Sequence, residues 1–205
     1  MELINKYFAG LEKDKEEKLK ALLPLYQDWN EKINLISRKD MDCFYEHHVL
    51  HSLSIAKFVN FKDSTSVLDV GTGGGFPGIP LAILFPHVQF YLIDSIGKKI
   101  KVVNAVVEEL GLKNVRTSQI RVEEVKEKFD FIVSRAVTNL DEFYRWVRNK
   151  ISKDNFNHIH NGILYLKGGD VASEVKSIKA KIRIKNISDY FEEEYFTEKK
   201  IVYIS

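Results

Sequence analysis

The chain has 205 residues, of which 44% are hydrophobic and 29% are charged, and its formal net charge is +2 at pH 7. These values are typical of one globular domain, with or without an appended element, and they exclude a collagen-like chain, a coiled coil and bulk disorder. The small net charge neither requires nor excludes a nucleic-acid partner.

Residues 1–63 carry a helical pattern and almost no strand signal. Apolar residues recur there at spacings of three and four, chiefly Leu11, Leu19, Leu22, Leu23, Leu25, Tyr26 and Trp29. A second helix is predicted from about residue 40 to 59. Pro24 lies inside the first pattern and predicts a kink or a break there. We therefore expect an N-terminal helical extension over residues 1–63.

From residue 65 the pattern changes to short apolar runs that alternate with helices. The runs lie at 66–70, 90–93, 114–117 and 129–134, and the helical patterns lie at 78–84, 98–110 and 139–152. Continuous apolar runs alternating with helices indicate a parallel sheet covered on both faces. Gly111 follows the second of these helices, where a C-terminal glycine cap belongs.

The last part of the chain departs from this alternation. A strand is predicted at 163–166, a helix at 171–180, and two further strands at 183–190 and 199–204. The last two strands have no helix between them and therefore predict an antiparallel hairpin. The sheet-forming unit is expected to span residues 64–205.

A glycine-rich turn follows the first predicted strand, in the segment 67–78, VLDVGTGGGFPG. Such a turn lets the backbone approach a ligand closely and aims the N–H groups of the next helix at it. Gly73 and Gly75 belong to a G-x-G-x-x-G match, which alone is weak evidence for a dinucleotide. Asp69 would repel a pyrophosphate but suits a sulfonium or ammonium group. Pro77 lacks an N–H that a phosphate would bind. The turn therefore favours S-adenosylmethionine over NAD.

Asp94 ends the second predicted strand. An acidic residue there can accept hydrogen bonds from ribose hydroxyls, whichever adenosine cofactor is bound. It therefore supports an adenosine cofactor without distinguishing S-adenosylmethionine from NAD.

The segment 68–81, LDVGTGGGFPGIPL, closely resembles the ribosomal small-subunit RNA guanine-N7 methyltransferases, the glucose-inhibited division protein B family. The likeness continues at 29–35 (WNEKINL), 48–53 (HVLHSL), 94–99 (DSIGKK), 121–124 (RVEE), 134–137 (SRAV) and 166–168 (LKG). It covers roughly residues 29–168. The glycine turn with its FPGIP continuation is the most specific part, and the tail from Asp170 carries little family signal.

The resemblance implies a Rossmann-like class I methyltransferase fold of the α/β class. Its mostly parallel seven-stranded sheet would be closed by the terminal hairpin. The implied activity is S-adenosylmethionine-dependent methylation of guanine N7 in 16S ribosomal RNA, at position 527 in the usual numbering of that RNA. Many relatives carry Asp where this chain has His51, so no role of that carboxylate is transferred.

The resemblance also assigns residues to the site. Gly71 and Phe76 would contact the cofactor, Asp94 its ribose, and Val122 and Glu123 its adenine end. From the glycine turn itself we add Asp69 and Gly73 to the cofactor-binding residues, and we count Arg135 among them. Arg135 and Lys167 are the candidate catalytic residues, with Arg135 at the mouth of the site.

The chemistry of the residues agrees with N7 as the methylated atom. The only cysteine, Cys43, lies in the helical extension, so covalent catalysis of cytosine C5 methylation is not expected. The segment 134–137 lacks the polar-Pro-Pro-aromatic turn typical of amino methylation. Guanine N7 has a free lone pair and needs no general base. If Arg135 bound O6 and N7 together it would block the nucleophile, so we expect it to contact O6, a phosphate or the cofactor carboxylate.

N7 lies in the deep, narrow major groove of A-form RNA, so the target should be a loop or a flipped nucleotide. Basic residues that could meet phosphate are Lys32, Arg38, Lys39, Lys98, Lys99, Arg145, Arg148, Lys167 and those between Lys176 and Lys185. His47 and His51 are four apart on a predicted helix, with His48 beside them. No third metal ligand of matching spacing is evident, so packing or RNA contact is favoured over a metal.

The chain lacks the basic start and apolar centre of a signal peptide, and its longest apolar run, around 79–85, is too short to span a bilayer. With one cysteine it fits a reducing compartment. We expect a cytoplasmic, monomeric protein with no membrane contact that acts on ribosomal RNA of the small subunit or its assembly intermediate. The alternatives are a small-molecule methyltransferase, an NAD-dependent oxidoreductase and a non-catalytic RNA-binding module.

Overall fold

A seven-stranded sheet forms the centre of the computed structural model, which describes residues 1–135 and 137–205. Its strands are β1 (Ser66–Val70), β2 (Gln89–Asp94), β3 (Val115–Gln119), β4 (Phe131–Arg135), β5 (Gly162–Gly168), β6 (Ile182–Asn186) and β7 (Lys199–Ile204). Their order is β3-β2-β1-β4-β5-β7-β6. The first five strands are parallel, and β7 is antiparallel to both β5 and β6. The predicted fold class and its terminal hairpin are confirmed.

The order of the strands reverses between β1 and β4, which are neighbours at the centre of the sheet. In open α/β sheets, ligands bind beyond the carboxyl ends of the strands at such a reversal. The register sets Asp69 of β1 beside Leu92 of β2 and Val133 of β4. The turns that follow β1, β2 and β4 therefore meet at one edge of the sheet.

Helices cover the sheet between the strands. They are α5 (Gly78–Leu84), α6 (Gly97–Glu109), α7 (Leu140–Val147) and α8 (Ala172–Val175), with short 3-10 turns at Val122–Glu124, Arg148–Lys150, Ile187–Asp189 and Glu194–Phe196. Gly111 follows α6 with φ +59°, as the cap prediction required. Within the described ranges, none of these or the preceding helices combines the length and apolarity needed to cross a membrane.

The N-terminal residues form α1 (Glu2–Tyr7), α2 (Lys13–Lys32), α3 (Arg38–Asp42), a π-helical turn (Tyr45–Leu50) and α4 (His51–Phe58). The single helix predicted over 40–59 is therefore divided into three pieces. The proposed boundary between residues 63 and 64 falls in the loop that joins α4 to β1. One apolar core nevertheless joins both sides of it, since Leu22 and Leu53 belong to the same buried cluster as Val67 and Leu81.

A kink or a break was predicted at Pro24, and a break is wrong, because α2 continues through the proline. Pro24 has no N–H, so the carbonyl of Lys20 one turn earlier has no partner within the helix. The hydroxyl of Tyr45 donates to that carbonyl at 3.1 Å. A contact from a residue 25 positions later in the chain therefore supplies the hydrogen bond that the proline removes.

Two predicted elements near the C-terminus are too long. The helix expected over 171–180 is only α8, because the chain turns at Lys176 and Ser177, and the N–H of Lys181 already bonds to the carbonyl of Ser205 beside the hairpin. The strand expected over 183–190 ends at Asn186 and gives way to a 3-10 turn.

Candidate active site

A cavity of about 500 Å³ opens at the edge of the sheet where the turns after β1, β2 and β4 meet. This volume lies within the range of cofactor sites. Its lining among the described residues is Leu35, Ile36, His48, Val70, Gly71, Thr72, Gly73, Gly74, Phe76, Ile93, Asp94, Ser95, Ile96, Lys99, Ile120, Arg121, Val122, Glu123, Arg135, Val137 and Trp146. The structure therefore brings seven of the candidate site residues together at this cavity: Gly71, Gly73, Phe76, Asp94, Val122, Glu123 and Arg135. Ala136 of the SRAV segment lies outside the described residues.

Asp94 joins the glycine turn to the end of β2. Its Oδ2 accepts a hydrogen bond from the N–H of Gly73 at 3.0 Å, and its Oδ1 accepts one from the N–H of Ile96 at 2.9 Å. Gly73 has φ +58°, a conformation that favours glycine. The carboxylate is thus held at the cavity wall, and each oxygen keeps a lone pair for a ligand hydroxyl.

Asp69 is fully buried and is not among the described residues that line the cavity. Its Oδ2 accepts from the Thr72 hydroxyl at 2.7 Å and from the N–H of Gly78 at 2.8 Å. Its Oδ1 has no hydrogen-bond partner within the described part of the chain. Burial raises the pKa of this carboxyl to about 7. Asp69 therefore holds the glycine turn and the start of α5 together through these hydrogen bonds, and it does not face the cavity.

One end of the cavity is lined mainly by apolar side chains. Val122 and Glu123 lie on a 3-10 turn there, facing Ile96, Ile120 and the indole of Trp146 from α7. Ile96 is 41% exposed, so its side chain is accessible to a ligand in the cavity. This end is suited to a flat aromatic ring such as adenine.

Arg135 ends β4 at the opposite side of the cavity. Its guanidinium donates to the backbone carbonyl of His47 and to Nδ1 of His48, both at 2.9 Å. It also lies over the ring of Phe76, with Cζ 5.5 Å from the centroid. Arg135 therefore connects the sheet to the π-helical turn. Its two hydrogen bonds to His47 and His48 hold that turn at the cavity wall.

His48 is held in its neutral form. Burial and the nearby Arg135 charge lower its pKa to about 3. A guanidinium has donors only, so Nδ1 of His48 must accept and Nε2 must carry the proton. That buried Nε2 has no hydrogen-bond partner among the described residues.

His47 and His51, the neighbours of His48 in the helical extension, pack against Tyr195 near the C-terminus. The His47 ring stacks on the tyrosine ring at 3.9 Å, and its Nδ1 lies 2.9 Å from Oδ1 of Asp40. The Tyr195 hydroxyl lies 3.3 Å from Nδ1 of His51. Over residues 1–135 and 137–205, no group of three or more His, Cys, Asp or Glu side chains is placed to hold a metal ion.

Lys167 lies at the end of β5, one residue beyond Leu166, the register partner of Arg135. Its ammonium pairs with the carboxylate of Glu174 at 2.7 Å, and it is not among the described cavity residues. The structure therefore places this candidate catalytic residue near the site but turned away from it.

Sequence reasoning gave no cavity role to Leu35, Ile36, His48, Ile120 or Trp146. Leu35 and His48 fell in segments that resemble the family, but nothing in their spacing indicated that the N-terminal helices reach the sheet edge. Trp146 lies in a helix whose apolar pattern indicates only a buried face, so no local signal could have assigned it to the cavity.

The sheet departs from the all-parallel order 3-2-1-4-5-6 of dinucleotide-binding folds, because antiparallel β7 lies between β5 and β6. Solved structures share the fold. A SAM-dependent methyltransferase from Aquifex aeolicus covers 82% of this chain and 98% of its own, with a TM-score of 0.58 at 17% identity. The precorrin-6y C5,15-methyltransferase of Geobacter metallireducens covers 84% and 91%, with a TM-score of 0.57 at 10% identity.

Sequence comparisons identify the family of the chain. The model of the GidB family, rRNA small subunit methyltransferase G, matches residues 15–202. The ribosomal RNA small subunit methyltransferase G of Cytophaga hutchinsonii is 53% identical over 204 residues, 100% of this chain and 99% of that protein. The protein of the same name from Flavobacterium psychrophilum is 57% identical, over 100% of this chain and 97% of its own. The resemblance read from the glycine turn and its FPGIP continuation is therefore confirmed, and the chain belongs to the rRNA small subunit methyltransferase G family.

Proposed function

We propose that this chain transfers the methyl group of S-adenosylmethionine to N7 of a guanine in 16S ribosomal RNA. The observation that carries the proposal is that the whole described cavity, from Leu35 to Trp146, lies inside the segment matched by the family model. The chain also spans nearly the full length of relatives whose names state methylation of small-subunit ribosomal RNA.

The cavity residues fit this cofactor. Asp94 is placed to accept hydrogen bonds from the ribose hydroxyls, since both its oxygens are fixed and keep a free lone pair. Val122, Glu123 and Trp146 would enclose the adenine, and Gly71, Gly73 and Phe76 would flank the methionine part. Asp69 would act through the turn that it holds. When bound, the cofactor supplies an electrophilic methyl group on a sulfonium.

Methylation of guanine N7 depends on how the base is positioned, and it needs no general acid or base. Its N7 lone pair attacks without losing a proton, so catalysis consists of aligning N7 with the methyl group and excluding water. The one histidine among the described cavity residues, His48, has its basic Nδ1 occupied by Arg135 and so offers no general base. This arrangement favours N7 over atoms that must be deprotonated.

Arg135 and Lys167 are proposed to act on the substrate side. Two donors of Arg135 are used by His47 and His48, and its remaining N–H groups can reach O6, a phosphate or the cofactor carboxylate. Lys167 would exchange its pairing with Glu174 for a phosphate of the RNA. Neither role blocks N7.

The substrate is proposed to be small-subunit RNA or its assembly intermediate, presented as a loop or flipped nucleotide to a monomer in the cytoplasm. If several basic side chains engage phosphates, the logarithm of the RNA association constant should fall linearly with the logarithm of salt concentration. A flat dependence would count against an RNA substrate and favour the small-molecule methyltransferase.

Calorimetric titration tests the cofactor assignment. We expect S-adenosylmethionine and its demethylated product S-adenosylhomocysteine to bind with measurable heat, and NAD to give none. Binding of NAD with no binding of either sulfur compound would overturn the proposal in favour of an oxidoreductase.

A further inference from the structure

The helix α2 carries two polar side chains, one turn apart, that form hydrogen bonds with backbone groups of cavity-lining segments. Tyr26 is fully buried, and its hydroxyl donates a hydrogen bond to the backbone carbonyl of Gly74. Its ring packs against Phe76, with centroids 5.0 Å apart, and against Phe44 at 5.4 Å. A residue of the N-terminal extension therefore fixes the orientation of a peptide group within the turn.

Asn30 follows Tyr26 by four residues and holds a second part of the cavity wall. Its Oδ1 accepts from the N–H groups of Leu35 and Ile36, and its Nδ2 donates to the carbonyl of Ile36, all at 2.8 Å. These three bonds satisfy backbone groups in an irregular segment that would otherwise need water. Both Leu35 and Ile36 line the cavity.

The two anchored parts are in close contact. A Cβ on Gly74 would lie only 2.7 Å from Cδ2 of Leu35, which is closer than real side chains approach. The turn and the Leu35–Ile36 segment therefore form one continuous wall, and each is anchored by a side chain from the same face of α2.

We propose that Tyr26 and Asn30 are positioning residues of the cofactor site, which hold the glycine turn and the Leu35–Ile36 segment in their binding geometry. This inference rests on the proposed function, because the site it completes is that for S-adenosylmethionine. A wall that is already ordered loses less conformational freedom when the ligand binds, so the anchors raise affinity without touching the ligand. The N-terminal helices are thereby part of the cofactor site.

The test compares Tyr26→Phe, Asn30→Leu and Asn30→Asp with a matched control, Tyr45→Phe. Tyr45 also donates from its hydroxyl to a backbone carbonyl of α2, at Lys20, but it is not among the described cavity residues. The dissociation constant of S-adenosylhomocysteine is measured by calorimetry, the melting temperature is measured without ligand, and KM for the cofactor is measured separately from kcat.

We expect Tyr26→Phe and Asn30→Leu each to raise the dissociation constant about tenfold and to raise KM for the cofactor similarly, which corresponds to 1.4 kcal/mol per tenfold. The kcat at saturating cofactor should stay within about twofold of the wild-type value. Asn30→Asp keeps the acceptor for two N–H groups and should be intermediate. Tyr45→Phe should lower the melting temperature and leave the dissociation constant within about twofold.

Two results would overturn the inference. One is an unchanged dissociation constant in folded Tyr26→Phe or Asn30→Leu; the other is an equal loss of affinity in Tyr45→Phe. If Tyr26→Phe fails to fold, the ordered series from wild type through Asn30→Asp to Asn30→Leu decides the question. Failure of the wild-type protein to bind would instead reject the proposed function, so the two failures are distinguishable.

Discussion

The guanidinium of Arg135 donates a hydrogen bond to Nδ1 of His48 across 2.9 Å, and so joins the end of β4 to the π-helical turn at the cavity. A charged donor bonded to an imidazole fixes both the tautomer and the protonation state of the ring. Because the pKa of His48 is lowered to about 3, the ring stays an acceptor throughout the range in which the protein would act.

Replacing His48 tests whether this acceptor matters. Asn keeps an acceptor near the position of Nδ1, whereas Leu removes it and leaves a buried guanidinium N–H without its partner. Such a loss costs about 1.5–3 kcal/mol. We expect His48→Leu to lower kcat/KM for methyl transfer by at least tenfold and His48→Asn to remain within about threefold, as measured in steady-state assays. Equal activity of the two variants would show that the bond does not position Arg135.

Replacing Arg135 tests its own role. Lys retains the charge but cannot bond to His47 and His48 together, since it lacks the planar fork of the guanidinium. We expect Arg135→Lys to lower the rate of methylation about tenfold to a hundredfold. Cofactor binding, measured separately by calorimetry, tells whether Arg135 acts on the cofactor carboxylate or on the RNA. If rate and affinity are both unchanged, Arg135 does not belong to the site.

Trp146 supplies a spectroscopic test of the adenine end. The chain has two tryptophans, and Trp29 lies on α2 beside Lys32, outside the described cavity lining. We expect S-adenosylhomocysteine to change the intrinsic fluorescence of the wild-type protein and of Trp29→Phe, but not of Trp146→Phe. Loss of the indole should also weaken binding by about 1 kcal/mol. If the fluorescence change is lost in Trp29→Phe and kept in Trp146→Phe, the adenine does not bind beside Trp146.

Asp69 predicts a pH dependence of stability. Its pKa in the folded protein is raised to about 7 by burial, above the ordinary value of about 3.9. The folded state therefore binds this proton more tightly than the unfolded state. The stability it contributes is fully present below about pH 4 and is lost as pH rises toward 7.

Asp69→Asn cannot titrate and serves as the reference for that dependence. The free energy of unfolding of the wild-type protein, minus that of the variant, should fall by about 1.4 kcal/mol per pH unit between about pH 4 and 7. Above that range it should level off. Urea denaturation of both proteins across this range provides the measurement. A difference that stays constant with pH would show that Asp69 remains ionised in the folded state.

The sheet could be predicted from sequence because its strands are short apolar runs bounded by turn residues. β1 and β7 have the predicted bounds, and the hairpin follows from two strands with no helix between them. The glycine turn and Asp94 could also be predicted, because the C-terminal residue of a buried parallel strand lies at the functional edge of the sheet.

What could not be predicted depends on contacts between distant residues. α2 continues through Pro24, and the carbonyl of Lys20 that the proline leaves without a helical partner accepts a hydrogen bond from Tyr45. Asp69 precedes the cavity residue Val70 on β1, but its carboxylate bonds to Thr72 and Gly78. The ammonium group of Lys167 pairs with the carboxylate of Glu174, seven positions later. Spacing along the chain carries none of this information.

The cavity wall from the N-terminal helices was missed for the same reason. Leu35 and Ile36 lie in an irregular segment whose place is set by the side chain of Asn30 and by close approach to Gly74. The similarity of residues 29–35 to the family located the segment in sequence without saying what it contacts.

The most direct test of the proposed activity is to locate the transferred methyl group. The purified protein is incubated with S-adenosylmethionine labelled on the methyl group and with small-subunit ribosomal RNA, or small subunits, from a strain that lacks the gene. Nuclease digestion and mass spectrometry then identify the labelled nucleoside. We expect 7-methylguanosine at one position of 16S ribosomal RNA. A label on another atom, or no transfer to either form of the RNA while S-adenosylmethionine binds, would contradict it.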